Sequence, residues 1–319
     1  MSDMFVVSTS PHLRHKDSIS KIIWMVFLAL VPAGLAGLYI FGPASLWVII
    51  AAILSALVTE ALILLLRGKK LRLFDGSAAL TGLLLAYNLP SDVPLWIPVV
   101  GSFFAIAIAK QIFGGLGRNI FNPALAARAF LLISWPTYMT TWAKPFSYPD
   151  AISSATPLNL FKEGGMNLSQ MGLSYWDLFL GNRGGCIGEV AVAALLAGAL
   201  LLIALKIISL HIPLSYFISL GLFSWLFPAR GGFATGDILF AILAGGVILG
   251  AFFMATDYST SPLTRKGQII FGLGCGLFTF IIRRWGGYPE GVSFSILIMN
   301  AFVPIIDRFT TPRVYGAKK

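Results

Sequence analysis

The segment "DAISSATPLNL", residues 150–160, brings three hydroxyl groups and one carboxylate into a chain that is otherwise mostly apolar. A hydroxyl becomes a catalytic nucleophile when a general base lies beside it. The three histidines, His12, His15 and His211, fall at or near predicted cytoplasmic loops, so a nucleophile–His–acid arrangement is not expected. Hydrolytic catalysis is therefore not predicted, and an ordinary Ser/Thr turn is the alternative for the segment.

Five ionisable side chains fall within or beside apolar segments: Glu60, Lys110, Arg128, Asp257 and Glu290. Such groups are costly at membrane depth and mark functional sites by default. For Glu60 and Lys110, a structural ion pair explains the residues at least as well as an ion pathway. Arg128, Asp257 and Glu290 are better placed, because they lie in or beside repeated segments, and Asp257 and Glu290 are the candidates for an ion pathway.

Asn119 and Asn122 begin an apolar segment, where they could satisfy unwound backbone or bind the polar edge of a cofactor together with Arg128. The "GGLGRN" stretch that contains Asn119 follows an apolar helix rather than a strand, so it is not a dinucleotide fingerprint. The two cysteines, Cys186 and Cys275, form no C-x-x-C motif and cannot supply four thiolates to a metal or cluster. We therefore expect no metal site in this chain.

The composition predicts an integral membrane protein. Of the 319 residues, 57% are hydrophobic and 11% are charged, and the mean hydropathy is +0.84. Several apolar runs reach about 20 residues, the length of a membrane-spanning helix, without the alternation of a barrel strand. The Lys and Arg residues that give the net charge of +10 are distributed along the chain as in a membrane protein, so nucleic acid is not an expected partner.

Hydropathy predicts an all-α protein with ten membrane segments. With a cytoplasmic N-terminus, 16 of the 23 Lys and Arg residues face the cytoplasm, as the positive-inside rule requires. Both termini are then cytoplasmic, and the long segment that contains residues 150–160 lies outside. The predicted segments are 21–41, 44–66, 76–89, 93–113, 122–142, 187–207, 210–227, 235–255, 268–283 and 290–306.

An internal repeat divides the chain. Gly114 and Gly286 begin similar stretches, and Pro90 and Pro262 keep the same offset of 172 positions. Each half holds five segments, so the second copy must be inverted, and functional sites of such proteins often lie at the repeat interface. The alternative is that glycine and proline here mark turns and close packing. The predicted divisions are 1–20 (N-terminal segment), 21–142 (first repeat), 143–186 (outer loop), 187–306 (second repeat) and 307–319 (C-terminal tail).

Residues 150–156 resemble the flavinylation signal D-x-x-[ST]-G-A-[TS]. At that signal a transferase joins FMN through its phosphate to the final hydroxyl, which makes Thr156 the expected attachment point. Asp150, Ser153, Ser154 and Ala155 would be read by the transferase. Ser154 stands where glycine is usual; a small residue is kept there, so the peptide is still expected to enter the transferase.

The whole chain resembles the family of RnfD and NqrB, membrane subunits of the Rnf ferredoxin:NAD⁺ oxidoreductase and of the Na⁺-pumping NADH:quinone oxidoreductase. The similarity is carried, in order, by "SATPLNL", "GGLGRNIFNPALAARAF", "MATDYSTSP" and "YPEGVSFSILIMNAF". The stretch "TSPHLRHKDSISKIIW" near the start is similar to RnfD, and the long N-terminal extension of NqrB is not expected.

The resemblance implies a urea-transporter-like fold and a membrane electron-transfer subunit with covalent FMN on Thr156, on the outer side of a bacterial inner membrane. It implies that the complex translocates Na⁺ or H⁺, and that the partners are other Rnf subunits, including iron–sulfur and flavin subunits, a flavin transferase and the lipid bilayer. A second, non-covalent flavin such as riboflavin would be sought near Asn119 and Asn122. The alternatives are a channel or transporter for a small solute and a structural subunit that has lost its flavin.

Overall fold

The structure, a computed structural model, describes residues 18–71, 73–148, 153–228 and 232–311, without the side chain of Ser153. The described part of the chain is mostly helical. The helices are α1 (Ile19–Phe41), α2 (Pro43–Leu66), α3 (Ser77–Tyr87), α4 (Trp96–Phe103, continued by the π-helix Phe104–Gln111), α5 (Pro123–Ser134), α6 (Pro136–Thr140), α7 (Pro157–Lys162), α8 (Tyr175–Leu180), α9 (Val192–Ala204), α10 (His211–Leu226), α11 (Ile238–Leu243), α12 (Val247–Leu249, continued by the π-helix Gly250–Met254), α13 (Arg265–Trp285) and α14 (Val292–Thr310).

The structure is that of an all-α membrane protein. Within the described residues, four helices, α1, α2, α13 and α14, are long and apolar enough to cross a membrane, and five further apolar helices are 10–17 residues long. Each of the ten segments that hydropathy predicts overlaps at least one of the helices. The number of crossings and the inverted order of the two halves stay predictions.

Two predicted segments contain more irregular backbone than hydropathy indicates. The segment predicted to begin at residue 187 becomes helical only at Val192. The segment predicted at 235–255 is interrupted between α11 and α12, where Gly245 takes a φ of 71°. That backbone conformation favours glycine and cannot continue a right-handed helix. Apolar composition alone does not reveal such breaks.

The residues before α9 complete the hydrogen bonding at the end of α3. The Ile187 N–H donates to the Leu89 carbonyl at 3.0 Å, and the Gly188 N–H donates to the Tyr87 carbonyl at 3.1 Å. Gly188 allows this approach because its backbone lies directly against the Tyr87 ring. The non-helical stretch before α9 therefore supplies backbone donors that a buried helix end requires.

Between α5 and α9 the described residues form a small layer of two short strands and three short helices. Strand β1 (Trp142–Ala143) pairs antiparallel with β2 (Ser153–Ser154). The Tyr175 hydroxyl at the start of α8 donates to Asp237 at 2.6 Å. This hydrogen bond and, to a lesser extent, burial raise the pKa of Tyr175 to about 12. The layer is thus fastened to the residue that caps α11.

Candidate functional site

Thr156 caps the N-terminus of α7. Its Oγ1 accepts a hydrogen bond from the Asn159 N–H at 3.2 Å, and Pro157 occupies the first helical position, where its missing N–H is not needed. The side chain is 5% exposed. Asp150, at the start of the flavinylation signal, lies outside the described residues. The hydroxyl that the signal predicts as the attachment point is therefore held at a defined position beside α7.

The departure at Ser154 has a structural counterpart at Gly184. The Ser154 Oγ is buried and has no hydrogen-bond partner. A Cβ atom built on Gly184 would lie 2.5 Å from that oxygen, closer than van der Waals contact permits. The serine side chain is thus accommodated because a glycine faces it.

A cavity of about 260 Å³ lies beside the Thr156 turn. We call it the loop cavity. Trp142, which pairs with Ser154, and Asn159, whose backbone donates to Thr156, both line it. It is further lined by Arg128, Ala129, Leu132, Met139, Thr140, Glu163, Gly287, Tyr288, Pro289, Glu290, Gly291, Ser293 and Phe294. The combination of aromatic rings with a few polar groups is typical of cofactor pockets.

Arg128 and Glu290 form a buried ion pair at the wall of the loop cavity. Arg128 Nη1 also donates to Asn88 Oδ1 at 2.9 Å and to Ser293 Oγ at 3.3 Å. Asn88 follows the end of α3, whereas Ser293 begins α14, so the guanidinium joins the two halves of the chain. The structure therefore places Arg128 with Glu290 at the loop cavity.

Arg183, Cys186 and Glu189 also belong to this cluster, although no sequence motif selects them. The Cys186 sulfur and one carboxylate oxygen each of Glu189 and Glu290 lie within 4.8 Å of one another. The Arg128 guanidinium bonds both Glu290 and the Cys186 sulfur, the latter at 3.5 Å. A positive group in this position disfavours a metal cation. The one sequence signal for these residues is the dense run of small and charged residues in "NRGGCIGEV".

Asn119, Asn122 and Asp257 line a second cavity, of about 130 Å³, which we call the asparagine cavity. The Asp257 carboxylate accepts from Ser259 Oγ at 2.8 Å and from Thr260 Oγ1 at 3.1 Å. Asn119 Nδ2 donates to the same Ser259 hydroxyl at 3.5 Å, and its Oδ1 has no partner. These residues form a polar site separate from the loop cavity.

Asn122 satisfies unwound backbone. Its Oδ1 caps α5 by accepting from the Ala124 N–H, and its Nδ2 donates to the Met254 carbonyl at 3.3 Å, where the π-helix after α12 ends. With the Asn300 amide oriented to complete its hydrogen bonds, the Asn300 oxygen accepts from the Asn122 N–H at 3.1 Å. Asn122 thus has a structural role, and Asn119 is the group that remains available to a ligand.

Glu60 and Lys110 form the second buried ion pair within the described part of the chain. Lys110 Nζ lies 2.8 and 3.0 Å from the two Glu60 oxygens and 2.7 Å from Ser77 Oγ. Gln111 Nε2 adds a hydrogen bond to Glu60 at 3.0 Å. Every polar atom of the pair has a partner, which agrees with the structural interpretation of these two residues.

Known proteins are similar to this chain over nearly its whole length. The NQR2, RnfD, RnfE family profile matches residues 6–316. The chain is 49% identical over 323 residues to the D subunit of the proton-translocating ferredoxin:NAD⁺ oxidoreductase complex of Clostridium ljungdahlii, with 99% of this chain and 98% of the relative covered. It is 50% identical over 315 residues to the Na⁺-translocating counterpart of Acetobacterium woodii, covering 98% and 96%. The D subunit of the ion-translocating oxidoreductase complex of Stutzerimonas stutzeri is 42% identical over 329 residues, covering 94% and 93%.

Proposed function

Because this chain belongs to the NQR2, RnfD, RnfE family, we propose that it is a membrane electron-transfer subunit of an ion-translocating ferredoxin:NAD⁺ oxidoreductase complex, carrying FMN as a phosphoester on Thr156. The relatives that are about half identical over nearly their whole length are named as the D subunits of such complexes. The observation that carries the flavin assignment is the threonine at the end of the flavinylation signal, held beside a cavity with aromatic walls.

The loop cavity fits a flavin ring in chemistry and in position. Trp142, Tyr288 and Phe294 supply aromatic surface, and the Tyr288 and Phe294 rings stack with centroids 5.9 Å apart. Arg128 supplies a positive group held in place by Glu290, Asn88 and Ser293. When bound, FMN would supply one-electron and two-electron redox chemistry. The residues of this chain would hold the ring, orient it and set its electrostatic surroundings.

A covalent link suits a cofactor that faces the outer aqueous phase, where a freely exchanging flavin would be diluted. A tether keeps the ring at high effective concentration beside its redox partner. Thr156 would then act as an attachment point and not as a base. Asp150, Ser153, Ser154 and Ala155 would be read by the flavin transferase. The remaining partners would be the iron–sulfur and flavin subunits of an Rnf complex.

Asp257 and Glu290 are proposed for the ion pathway, and they lie at different cavities. Asp257 lines the asparagine cavity, and Glu290 lines the loop cavity. The two relatives that are 49% and 50% identical are named for different ions, H⁺ and Na⁺. Overall similarity therefore does not select the coupling ion of this chain.

A second, non-covalent flavin at Asn119 is a separate part of the proposal. The asparagine cavity, at about 130 Å³, has half the volume of the loop cavity, at about 260 Å³. Both lie below the roughly 300 Å³ at which pockets for small ligands begin, so a complete flavin would require either cavity to widen, and the asparagine cavity by more. The unpartnered Asn119 Oδ1 is the observation that supports a ligand there.

The proposed arrangement has ten crossings in a five-plus-five inverted repeat, in a bacterial inner membrane, with both termini cytoplasmic and Thr156 outside. A repeated contact supports it. Arg128 bonds Asn88, 40 positions earlier, and Asn300 bonds the Thr260 carbonyl, also 40 positions earlier. Both members of the second pair follow those of the first by 172 positions, the offset found in the sequence.

Substitution of Thr156 tests the flavin assignment. Thr156→Ala, expressed with an active flavin transferase, should insert normally and lose in-gel flavin fluorescence, because it lacks the acceptor oxygen. Thr156→Ser should keep fluorescence, and Thr140→Ala, which removes an exposed hydroxyl at the same cavity, should match the wild type. A fluorescent Thr156→Ala band would refute the assignment and favour a transporter without a redox role.

Asp257→Asn in the assembled complex tests the ion pathway. The amide keeps the size of the side chain but removes its charge, so ion uptake should fall at least tenfold while flavin attachment is retained. Electron transfer and ion uptake are measured separately, with Asp92→Asn as a control at another Asp carboxylate. If neither rate changed, Asp257 would be removed from the proposed pathway.

A further inference from the structure

Glu189 is a buried carboxylate without an ionic partner. It is 2% exposed, and its Oε2 has no hydrogen-bond partner. Glu189 belongs to neither of the two ion pairs described above, Lys110 with Glu60 and Arg128 with Glu290. A buried carboxylate that lacks a directly bonded cation is disfavoured in its ionised form, and such a group commonly binds a proton instead.

The protein encloses this carboxylate with two glycines. A Cβ atom on Gly185 would lie 2.8 Å from Glu189 Oε1, and one on Gly246 would lie 2.8 Å from Oε2. Gly246 has a φ of −80°, which any residue can adopt, so its conformation does not require glycine. An added methyl group at either glycine would displace the Glu189 carboxylate from its present position. The two glycines therefore leave room for the carboxylate where it lies.

The charged groups that face Glu189 act in opposite directions. Glu290 brings a second carboxylate close and favours the protonated form. Arg128, on α5, and Arg183 favour the ionised form, but Arg183 Nη2 donates to the backbone carbonyl of Glu189 and not to its carboxylate. Arg283, on α13, directs its donors to backbone carbonyls, among them that of Glu290. Cys186 adds a thiol.

Glu290 connects Glu189 with the loop cavity. The Glu290 side chain is 15% exposed and lines that cavity, and its Oε1 has no partner. One of its oxygens lies within 4.8 Å of a Glu189 oxygen. A proton that enters the loop cavity therefore has a short route through Glu290 to Glu189.

We propose that Glu189 is a proton-binding residue that exchanges protons with the loop cavity and responds to the charge there. Protonation forms one O–H bond at the carboxylate and takes the proton from water in the cavity. This proton site does not depend on the flavin. Its role rests on the proposed function: a flavin held at the loop cavity would gain one negative charge with each electron supplied by a redox partner, and one proton taken up by Glu189 would balance it.

Infrared spectroscopy of the full-length protein tests the proton site directly. The wild type, titrated from about pH 5 to pH 9, should show a protonated-carboxyl band that shifts in D₂O and disappears as the pH rises. Glu189→Gln should lose that band, whereas Glu163→Gln, at an exposed carboxylate on the loop cavity, should retain it. The same result is expected in Thr156→Ala protein, so a missing flavin would not affect this test.

A titrating band that survives in Glu189→Gln, or a carboxyl signal that does not change over the pH range, would overturn the proposal. If Glu189→Gln failed to fold, Gly246→Ala would serve, because the added methyl group crowds Oε2 while leaving the carboxyl in place. The carboxyl band of Gly246→Ala should titrate at a proton concentration that differs at least threefold from that of the wild type. An unchanged midpoint would count against the site.

The coupling to charge is tested by the flavin midpoint potential as a function of pH. Reduction adds negative charge and raises the proton affinity of Glu189, so the potential should fall as the pH rises through its titration range. For uptake of one proton per electron, the largest slope of the midpoint potential is 59 mV per pH unit, because one pH unit is a tenfold change in proton concentration. Glu189→Gln should remove this dependence, and Asp92→Asn, at an exposed carboxylate that does not line the loop cavity, should keep it. If Glu189→Gln protein with covalent flavin kept the pH dependence of the midpoint potential, the coupling to charge would be refuted, while the proton site itself would still be decided by the infrared test.

Discussion

Ser154 and Gly184 form a matched pair at the residue scale. The flavinylation signal usually has glycine at the position of Ser154, and here the glycine lies across from it instead. The unpartnered Ser154 hydroxyl shows that the serine gains no hydrogen bond by its position. The local packing therefore has space for the serine side chain at this position of the signal.

Gly184→Ala should expose this dependence, because its methyl group would meet the Ser154 oxygen. We expect a loss of about 1–3 kcal/mol in the free energy of unfolding, as for overpacking in a core. Ser154→Gly combined with Gly184→Ala should recover most of the loss. Gly287→Ala, where an added Cβ has no neighbour within 4 Å, serves as the control.

Thermal unfolding in detergent and in-gel flavin fluorescence would be recorded for the wild type and these three variants. If Gly184→Ala and the double variant were equally unstable, a clash with Ser154 would not be the reason that residue 184 must be glycine.

The residues of the site differ in how far sequence could identify them. Thr156 was predicted because it ends a short signal, and Arg128 and Glu290 because charge is rare in apolar segments. Asn88 and Glu189 were missed, since neither belongs to a recognisable motif. Their importance follows from burial and from contacts with residues 40 or more positions away, which no local pattern contains.

At the scale of elements, hydropathy located the helices but not their breaks. The stretch 187–190 is buried although it is not helical, so its place in an apolar segment does not indicate its conformation. The deciding factor is the end of α3, whose neighbouring carbonyls accept the N–H groups of Ile187 and Gly188. The short length of α3 was predicted, but the segment that completes it was not.

At the scale of the whole molecule, the proposed topology places residues 67–70 in the cytoplasm and residues 143–186 outside. Both native cysteines are buried, so a membrane-impermeant thiol reagent should give little background labelling. Lys69 and Ser169 are both exposed and suit introduced cysteines.

In intact cells whose inner membrane faces the reagent, Ser169→Cys should be labelled and Lys69→Cys should be labelled only after the membrane is opened. The expected difference is at least tenfold, because the bilayer excludes the charged reagent. Labelling of Lys69→Cys in sealed cells would contradict the proposed orientation. It would also contradict the proposed location of Thr156 on the outer side of the membrane.

Covalent FMN on Thr156 is the assignment from which the electron-transfer role follows, and peptide mass spectrometry of the chain, purified after expression with an active flavin transferase, decides it. The peptide containing Thr156 should carry the added mass of FMN less one water, with fragment ions that assign the added mass to that residue. An unmodified Thr156 peptide, while the transferase modifies another substrate in the same cells, would refute covalent attachment at this threonine.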